Sequence, residues 1–143
     1  MLTVCSRVLV PFDGSELSKK ALDIAITLLK QDEKIELDVI TVVNTRVEYE
    51  GVIDTTLLKE AKVASAKKAL NEVGQTLETL SNQSRITVLE GDPAEAILEF
   101  IKDNQSDFVV MGSRGLGKIK EMFLGSVSHH VVHKAPCPVV IVK

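Results

Sequence analysis

The segment Asp107–Ser128 reads DFVVMGSRGLGKIKEMFLGSVS and is the clearest indication of the fold. It opens with a continuous apolar run, which is typical of a parallel β-strand covered on both faces. Glycines follow at positions 112, 115, 117 and 125, and the pair Gly125-Ser126 begins a helical pattern that ends before Pro136. A buried strand, a glycine-rich turn and a helix start together predict a β-α unit whose turn accepts a ligand.

On either side of this segment, further apolar runs rich in β-branched residues predict four more strands. These runs are Arg7–Pro11, Glu36–Val43, Arg85–Glu90 and Pro138–Val142, and the run at Asp107–Met111 is the fourth strand in chain order. Alternation of strands with helical patterns predicts one α/β domain over residues 1–143. The order β-α-β-α-β-α-β-α-β favours a single doubly wound, five-stranded parallel sheet with helices on both faces.

Three further helical patterns precede the helix that begins at Gly125-Ser126. They run from a Ser15 cap to Gln31, from Leu57 to Leu80, and from an Asp92-Pro93 start with an acid three residues on. The apolar stripes on these helices are expected to face the core. The stripes consist of Ala21, Leu22, Ala25, Leu28 and Leu29; Ala66, Ala69, Leu70, Val73, Leu77 and Leu80; and Ala96, Ile97, Phe100 and Ile101.

Composition narrows the class of protein. Lys and Arg number 17 against 20 Asp and Glu, for a net charge of −3, and only 3% of residues are aromatic. This balance argues against nucleic acid as the partner. The N-terminal sequence does not resemble a secretory signal, and no apolar stretch is long enough to span a membrane. Two distant cysteines, Cys5 and Cys137, indicate free thiols in a reducing compartment, so we expect a cytoplasmic protein.

Ligands of doubly wound sheets bind at the carboxyl ends of the strands, where the strand order reverses. This rule brings together Pro11–Ser15, Val42–Asn44 and Met111–Ser128. The polar loop Asn44–Thr55 follows the second strand at the same end. It either closes over a ligand or is a plain solvent loop, and the sequence favours neither.

The glycine-rich segment has the chemistry of an anion site. We expect its glycines to permit positive φ and close approach of backbone to ligand. The start of the last helix suits a phosphate, with hydroxyl donors at Ser126 and Ser128 and positive charge at Arg114 and Lys118. A Walker A loop is disfavoured because Ile119 replaces its Ser or Thr, and a dinucleotide fingerprint because Lys120 replaces its third glycine.

The spacing Gly112-x2-Gly115-x9-Gly125-Ser126 resembles the ATP-binding signature of the universal stress protein family, G-x2-G-x9-G-(S/T). The segments VLVPFDGS at 8–15, GDPAEAI at 91–97 and APCPVVIV at 135–142 are also similar to the family's opening strand, third helix start and closing strand. The resemblance implies a Rossmann-like, adenine nucleotide alpha hydrolase-like fold.

The resemblance also implies a site. Asp13 would lie by the ribose and phosphates and would help to hold Mg²⁺, or else serve only as a turn residue before Gly14. The backbone of Val42 would meet the adenine edge. The full set of implied nucleotide-binding residues is Pro11, Asp13, Val42, Met111, Gly112, Arg114, Gly115, Gly125, Ser126, Val127 and Ser128. Family members pair the last strand across a two-fold axis, which implies a homodimer centred on Val139, Val140, Ile141 and Val142.

Three functions stay open at this point. The first is a regulatory module that binds ATP, or another adenine nucleotide, and acts on a partner that the sequence does not identify. The second is a slow ATPase, which lacks an evident general base. The third is a dimeric scaffold without nucleotide, the behaviour of family members that lack the glycine signature. His129 and His133 are spaced to share a helix face, but a polar helix end explains them more simply than a metal site.

Overall fold

The computed structural model describes residues 5–44, 55–115 and 124–143. Strands and helices alternate as the sequence predicts. The elements are β1 (Arg7–Pro11), α1 (Glu16–Leu29), β2 (Glu36–Val43), α2 (Thr55–Leu77), β3 (Ser84–Glu90), α3 (Pro93–Asn104), β4 (Phe108–Gly112), α4 (Ser126–Lys134) and β5 (Val139–Val142). The bounds of β1 and β2 are as predicted, and the other element boundaries differ by at most three residues, as for α2, which ends at Leu77 rather than Leu80.

The five strands form one parallel sheet in the order β3-β2-β1-β4-β5. The predicted α/β fold is therefore confirmed. The chain first builds outward from β1 to β3, and then continues on the other side of β1 with β4 and β5. The strand order thus reverses between β1 and β4, and the crevice at their carboxyl ends is where ligands bind in sheets of this kind.

The continuous apolar runs are explained by burial on both faces of the sheet. Val8 and Val10 point into a core shared with α1 and α2, whereas Leu9 points into a second core shared with α3 and α4. All three side chains are completely buried. A run that is apolar at every position is what a central parallel strand needs, because it has no solvent face.

The helices contribute mostly the stripes that the sequence predicts. Leu70, Val73 and Leu77 of α2 are buried, but Ala69 is exposed, so that assignment was wrong. Ile26 of α1 and Ala94 of α3 are buried although neither was predicted, while Ala96 is only half-buried. The shifts at the alanines arise because an alanine at the margin of a stripe carries little hydrophobic free energy to fix its side.

A charged pair links β2 to the edge strand β3 and favours the observed pairing of the two strands. Asp38 of β2 is 4% exposed and lies directly opposite Arg85 of β3 in the ladder. The Arg85 Nε donates to Asp38 Oδ1 at 2.8 Å, and Arg85 Nη2 donates to Asn104 Oδ1 at 3.1 Å. A slip by one residue would leave the buried carboxylate unpaired, which is costly, so the pair favours this register.

The two cysteines are free and lie at the amino-terminal side of the sheet. Cys5 packs in the core shared with α1 and α2, and Cys137 packs against the opposite core. Burial raises the pKa of both thiols, and the Asp107 carboxylate raises each pKa further. The thiols are therefore poor nucleophiles at neutral pH. Among the helices of the described ranges, none combines the length and apolarity required to cross a membrane.

Candidate functional site

A cavity of about 460 Å³ opens at the carboxyl ends of β1, β2 and β4. Its volume falls within the range of about 300–1,000 Å³ that is usual for small-molecule pockets. All eleven residues that the resemblance implied for a nucleotide site line this one cavity, and they are Pro11, Asp13, Val42, Met111, Gly112, Arg114, Gly115, Gly125, Ser126, Val127 and Ser128. Their convergence is thus observed, whereas their contact with a nucleotide stays a prediction.

The turn after β4 and the start of α4 touch each other. The Gly125 N–H donates to the Ser113 carbonyl at 2.7 Å, and the Ser128 hydroxyl donates to the same carbonyl, also at 2.7 Å. The Ser113 N–H in turn donates to the Val142 carbonyl of β5 at 2.8 Å. The glycine-rich turn is therefore tied to the sheet edge on one side and to α4 on the other.

These bonds change the expected role of Ser128. We expected its hydroxyl to be a donor to a phosphate, but the hydroxyl is buried and its hydrogen is directed at main-chain carbonyls of Ser113 and Gly125. The Ser128 hydroxyl therefore fixes the turn and is not directed into the cavity. The hydroxyl of Ser126, which is exposed, remains the one that can reach a ligand.

Three helices begin at the cavity, and two of them are capped by the protein itself. The Ser15 side chain accepts the Ser18 N–H at the start of α1, at 3.2 Å. The Asp92 side chain accepts the Glu95 N–H at the start of α3, at 3.1 Å. At the start of α4 the cap position is Gly125, and no side chain caps that helix. The first N–H groups of α4 thus face the cavity without a capping side chain, where the positive end of the helix dipole also lies.

The glycine at this cap is not required by the chain's own geometry. Gly125 has φ −67° and ψ 164°, almost the same as φ −68° and ψ 159° at the capping residue Ser15. A Cβ at Gly125 would make only ordinary contacts, the nearest at 3.4 Å from the Ser113 carbonyl oxygen. A serine would fit and would cap the helix. Its absence keeps the α4 amides open to a group from outside the chain.

The expectation of positive φ in the glycine-rich segment was wrong for its described glycines. In the described ranges the glycines with positive φ are Gly14 and Gly91. Gly112 is needed instead for close packing, since a Cβ there would lie 2.8 Å from the Leu17 Cβ. At Gly115 a Cβ would overlap the Asp13 carboxylate oxygen Oδ2. These two glycines let the turn approach α1 and Asp13, while Gly117 lies outside the described residues.

Asp13 is held in place by the turn that joins β1 to α1. Its Oδ1 accepts the Ser15 N–H at 2.9 Å, and Gly14 follows with φ +83°. The turn role that the sequence left open is therefore present. The other carboxylate oxygen, Oδ2, lies beside Gly115 at the cavity, so the same side chain also faces the site.

An apolar wall forms the other side of the cavity. Ile40 and Val42 of β2, Met111 of β4 and Ile97 of α3 belong to the core shared with α3 and α4 and reach the cavity from there. Phe12 and Ser15, within the predicted segment Pro11–Ser15, also line the cavity. Four further lining residues were not predicted for the site, namely Ser18, Ile40, Pro93 and Ile97. The sequence could have predicted Ile40 as a lining residue, because it lies two residues before Val42 and residues two apart on a strand share a face.

Several other residues that the sequence pointed to lie outside the described residues or away from the cavity. Residues 45–54 of the predicted Asn44–Thr55 loop lie outside the described residues, as do Lys118, Ile119 and Lys120. His129, His130 and His133 are exposed on α4. Within the described ranges, no three His, Cys, Asp or Glu side chains converge on one point.

The fold and the cavity define a doubly wound α/β protein with a pocket at the switch point of its sheet. Residues 5–143 match the model of the universal stress protein family. The chain is 34% identical to the universal stress protein YxiE of Bacillus subtilis, over 96% of this chain and 99% of that protein. It is 32% identical to the universal stress protein MJ0531 of Methanocaldococcus jannaschii, over 96% and 81%. The chain belongs to the universal stress protein family.

Two solved structures superpose closely on this chain. The universal stress protein UspA of Lactobacillus plantarum superposes with a TM-score of 0.90 at 25% identity, covering 99% of this chain and all of that chain. The protein MJ0577, whose structure was solved as a test case of structural genomics, superposes with a TM-score of 0.86 at 28% identity. The latter alignment covers 99% of this chain and 97% of that one.

Proposed function

We propose that this protein binds ATP in the cavity at the carboxyl ends of β1, β2 and β4 and acts as a nucleotide-dependent regulator in the stress response. The observation that carries the proposal is the start of α4. It faces the cavity without a capping side chain, although the backbone at Gly125 would accept one. A helix start with free amides binds phosphate through its N–H groups and its dipole.

The cavity offers a place for each part of ATP. The apolar wall of Ile40, Val42 and Ile97 suits a purine base. The backbone of Val42 lies beyond the last β1–β2 pair, Pro11 with Ile40, and would offer its polar groups to the base edge. The phosphates would lie between the turn at Arg114 and the first turn of α4. A Mg²⁺ ion bound by the phosphates fits beside Asp13, because Mg²⁺ commonly combines one carboxylate with phosphate oxygens.

Proteins of the same fold are known with adenine nucleotides. A universal stress protein has been solved in complex with cyclic AMP, and an Arabidopsis thaliana family protein with AMP bound. These two proteins are 22% and 21% identical to this chain, respectively, so the likeness shows a shared fold alone. They supply the comparison ligands for an experiment, and the open α4 start supplies the reason to favour a nucleotide with more phosphates.

Hydrolysis of ATP is a second candidate that the described site does not favour. Among the described lining residues the ionisable side chains are Asp13 and Arg114. Asp13 already accepts a hydrogen bond from the Ser15 main chain and lies beside Gly115, which suits it to hold a cation rather than to activate water.

Calorimetric titration separates the candidates. Wild-type protein is titrated with Mg·ATP, ADP, AMP and cyclic AMP, and each mixture is then incubated and analysed for ADP. We expect heat of binding with ATP, weaker binding of AMP and cyclic AMP, and no ADP formed from ATP. Heat together with ADP production would show an ATPase. Absence of heat with every nucleotide would leave a scaffold without nucleotide and reject the proposal.

We further propose a cytoplasmic homodimer formed through β5, which acts on a regulatory partner that is still to be identified. β5 is an edge strand whose outer main-chain groups have no partner strand within the described residues. Val139, Val140 and Ile141 are half-buried, while the Val142 side chain is already covered by its own core at 4% exposure. Pairing with a second β5 would satisfy the open edge and cover the half-buried side chains.

A further inference from the structure

The three histidines of the chain all lie on α4, the helix whose start forms part of the cavity. His129 and His133 are one helical turn apart, and both are exposed. Their ring centroids are 4.4 Å apart, with an angle of 64° between the ring planes. The buried side of the helix is marked by Ser128 and Val131, so the two rings stand together on the side that faces away from the sheet.

This spacing is the one that lets two imidazoles share a metal ion. Metal–nitrogen bonds to histidine are about 2.0–2.1 Å long, so two nitrogens bound to one ion lie within about 4 Å of each other. The two rings, with centroids 4.4 Å apart on exposed side chains, already lie close to that arrangement. In the described part of the chain neither ring forms a hydrogen bond or an ion pair that would have to break first.

We propose that His129 and His133 bind one late first-row divalent metal ion on the surface of α4. Imidazole is a preferred ligand for Cu²⁺, Ni²⁺ and Zn²⁺, and affinity at nitrogen sites is highest for Cu²⁺. No third protein ligand converges on the pair within residues 5–44, 55–115 and 124–143, so water completes the coordination. The site therefore binds its ion reversibly and differs from a closed structural metal site.

Binding at this pair stabilises the last two turns of α4. Residues four apart come together only while the helix is formed, so an ion held by both favours the helical state. The site lies outside the cavity, and it does not depend on the nucleotide proposal.

The matched control is His130, which is exposed on the same helix and lies three residues before His133. The ring contact that the proposal rests on joins His129 to His133 and does not involve His130. Wild type and the variants His129→Asn, His133→Asn and His130→Asn are titrated with Cu²⁺ in the absence of nucleotide. Binding is followed by calorimetry and by electron paramagnetic resonance, which reports nitrogen ligands. Circular dichroism verifies that each variant is folded, and Mg²⁺, which prefers oxygen ligands, is the control ion.

We expect one Cu²⁺ per chain in wild type and His130→Asn. Loss of either member of the pair should weaken binding by about 100-fold, because the second contact no longer acts at high effective concentration. Cu²⁺ should also raise the melting temperature of wild type and His130→Asn and leave that of His129→Asn and His133→Asn unchanged. Equal affinity in all four proteins, or a loss in His130→Asn as large as in His133→Asn, would overturn the proposal.

Discussion

The Ser128 hydroxyl donates a hydrogen bond of 2.7 Å to the main-chain carbonyl of Ser113, and this bond joins α4 to the turn after β4. The Gly125 N–H donates to the same carbonyl. The first turn of α4 therefore has its position fixed by the protein before any ligand arrives. Donors that are already in place bind an anion without a further cost of ordering them, which favours tight binding of phosphate here.

Replacement of Ser128 by alanine should weaken both the fold and the site. Ser128 is 3% exposed, and its loss leaves the Ser113 carbonyl with one donor instead of two. We expect the free energy of unfolding to fall by about 1 kcal/mol. ATP affinity should fall as well, because the α4 start is no longer fixed. Denaturant unfolding and calorimetry measure the two effects. Ser126→Ala, at an exposed position of the same turn, is the control and should leave the stability unchanged.

Serine at position 125 should compete with a phosphate for the amides of α4. The backbone at Gly125 matches that of the capping residue Ser15, so Gly125→Ser should cap the helix. One charge-assisted hydrogen bond contributes about 1.5–3 kcal/mol, so its loss should lower ATP affinity about tenfold or more. Gly125→Ala adds the same Cβ without the cap and should retain more affinity. Calorimetry that finds the two variants equal would show that the open cap is irrelevant.

Asparagine at position 13 should change the dependence of ATP binding on Mg²⁺. An asparagine keeps the Oδ1 acceptor for the Ser15 N–H, so the turn should survive. We expect wild type to bind ATP more tightly with Mg²⁺ than in EDTA, and Asp13→Asn to respond much less, since the carboxylate that the cation would bridge is gone. The melting temperature of Asp13→Asn should match wild type, whereas that of Asp13→Ala should fall. An unaltered Mg²⁺ response in Asp13→Asn would place the cation elsewhere.

Proline at position 141 should abolish the dimer and leave the sheet intact. The Val142 carbonyl accepts the Ser113 N–H and the Pro138 carbonyl accepts the Val109 N–H, so the even-numbered residues of β5 bond to β4. Ile141 therefore directs its main-chain groups to the open edge, where proline is tolerated. Ile86→Pro, on the outer edge of β3, is the matched control. Sedimentation should give a dimer for wild type and Ile86→Pro and a monomer for Ile141→Pro. A monomeric wild type at micromolar concentration would refute the dimer.

Stability should decrease in acid partly through Asp107. Burial alone would raise the pKa of this carboxyl, but hydrogen bonds from the Ser6 hydroxyl and from the N–H groups of Ser6 and Arg7 hold its pKa below the ordinary value. A depressed pKa in the folded state means that the stabilisation is complete above the unfolded-state pKa of about 3.9 and is lost as the pH falls through the folded-state value. Unfolding of wild type and Asp107→Asn should therefore differ most near neutral pH, and the difference should shrink below about pH 4. A constant difference across that range would contradict this origin.

The sequence predicted the topology because each element carries its own signal. The continuous run at Val8–Val10 requires burial on both faces, and the Asp92-Pro93 start has the cap that the structure shows. The sequence also predicted that Gly112, Gly115 and Gly125 lie at the site, and all three line the cavity. The reason given, a positive φ at these glycines, was wrong. Whether a glycine relieves positive φ or steric overlap depends on its tertiary neighbours, such as Leu17 beside Gly112, and these are remote in sequence.

Only part of the cavity could be predicted from the sequence, again because residues that meet in the fold are remote in the chain. Its glycine-rich side follows a motif, whereas its apolar wall is formed by ordinary core residues such as Ile40 and Ile97. Nothing in the type of these residues distinguishes a pocket wall from a core contact. The role of the Ser128 hydroxyl was also out of reach, because its partner Ser113 becomes a neighbour only when α4 folds back on β4.

Nuclear magnetic resonance of the backbone amides shows directly whether the start of α4 binds phosphate. Labelled protein is titrated with Mg·ATP and, separately, with adenosine, which lacks phosphate. We expect large shifts of the Ser126, Val127 and Ser128 amides with ATP and small shifts of the same amides with adenosine. If ATP leaves these three amides unmoved, or moves the capped starts of α1 and α3 instead, the α4 start is not the phosphate site.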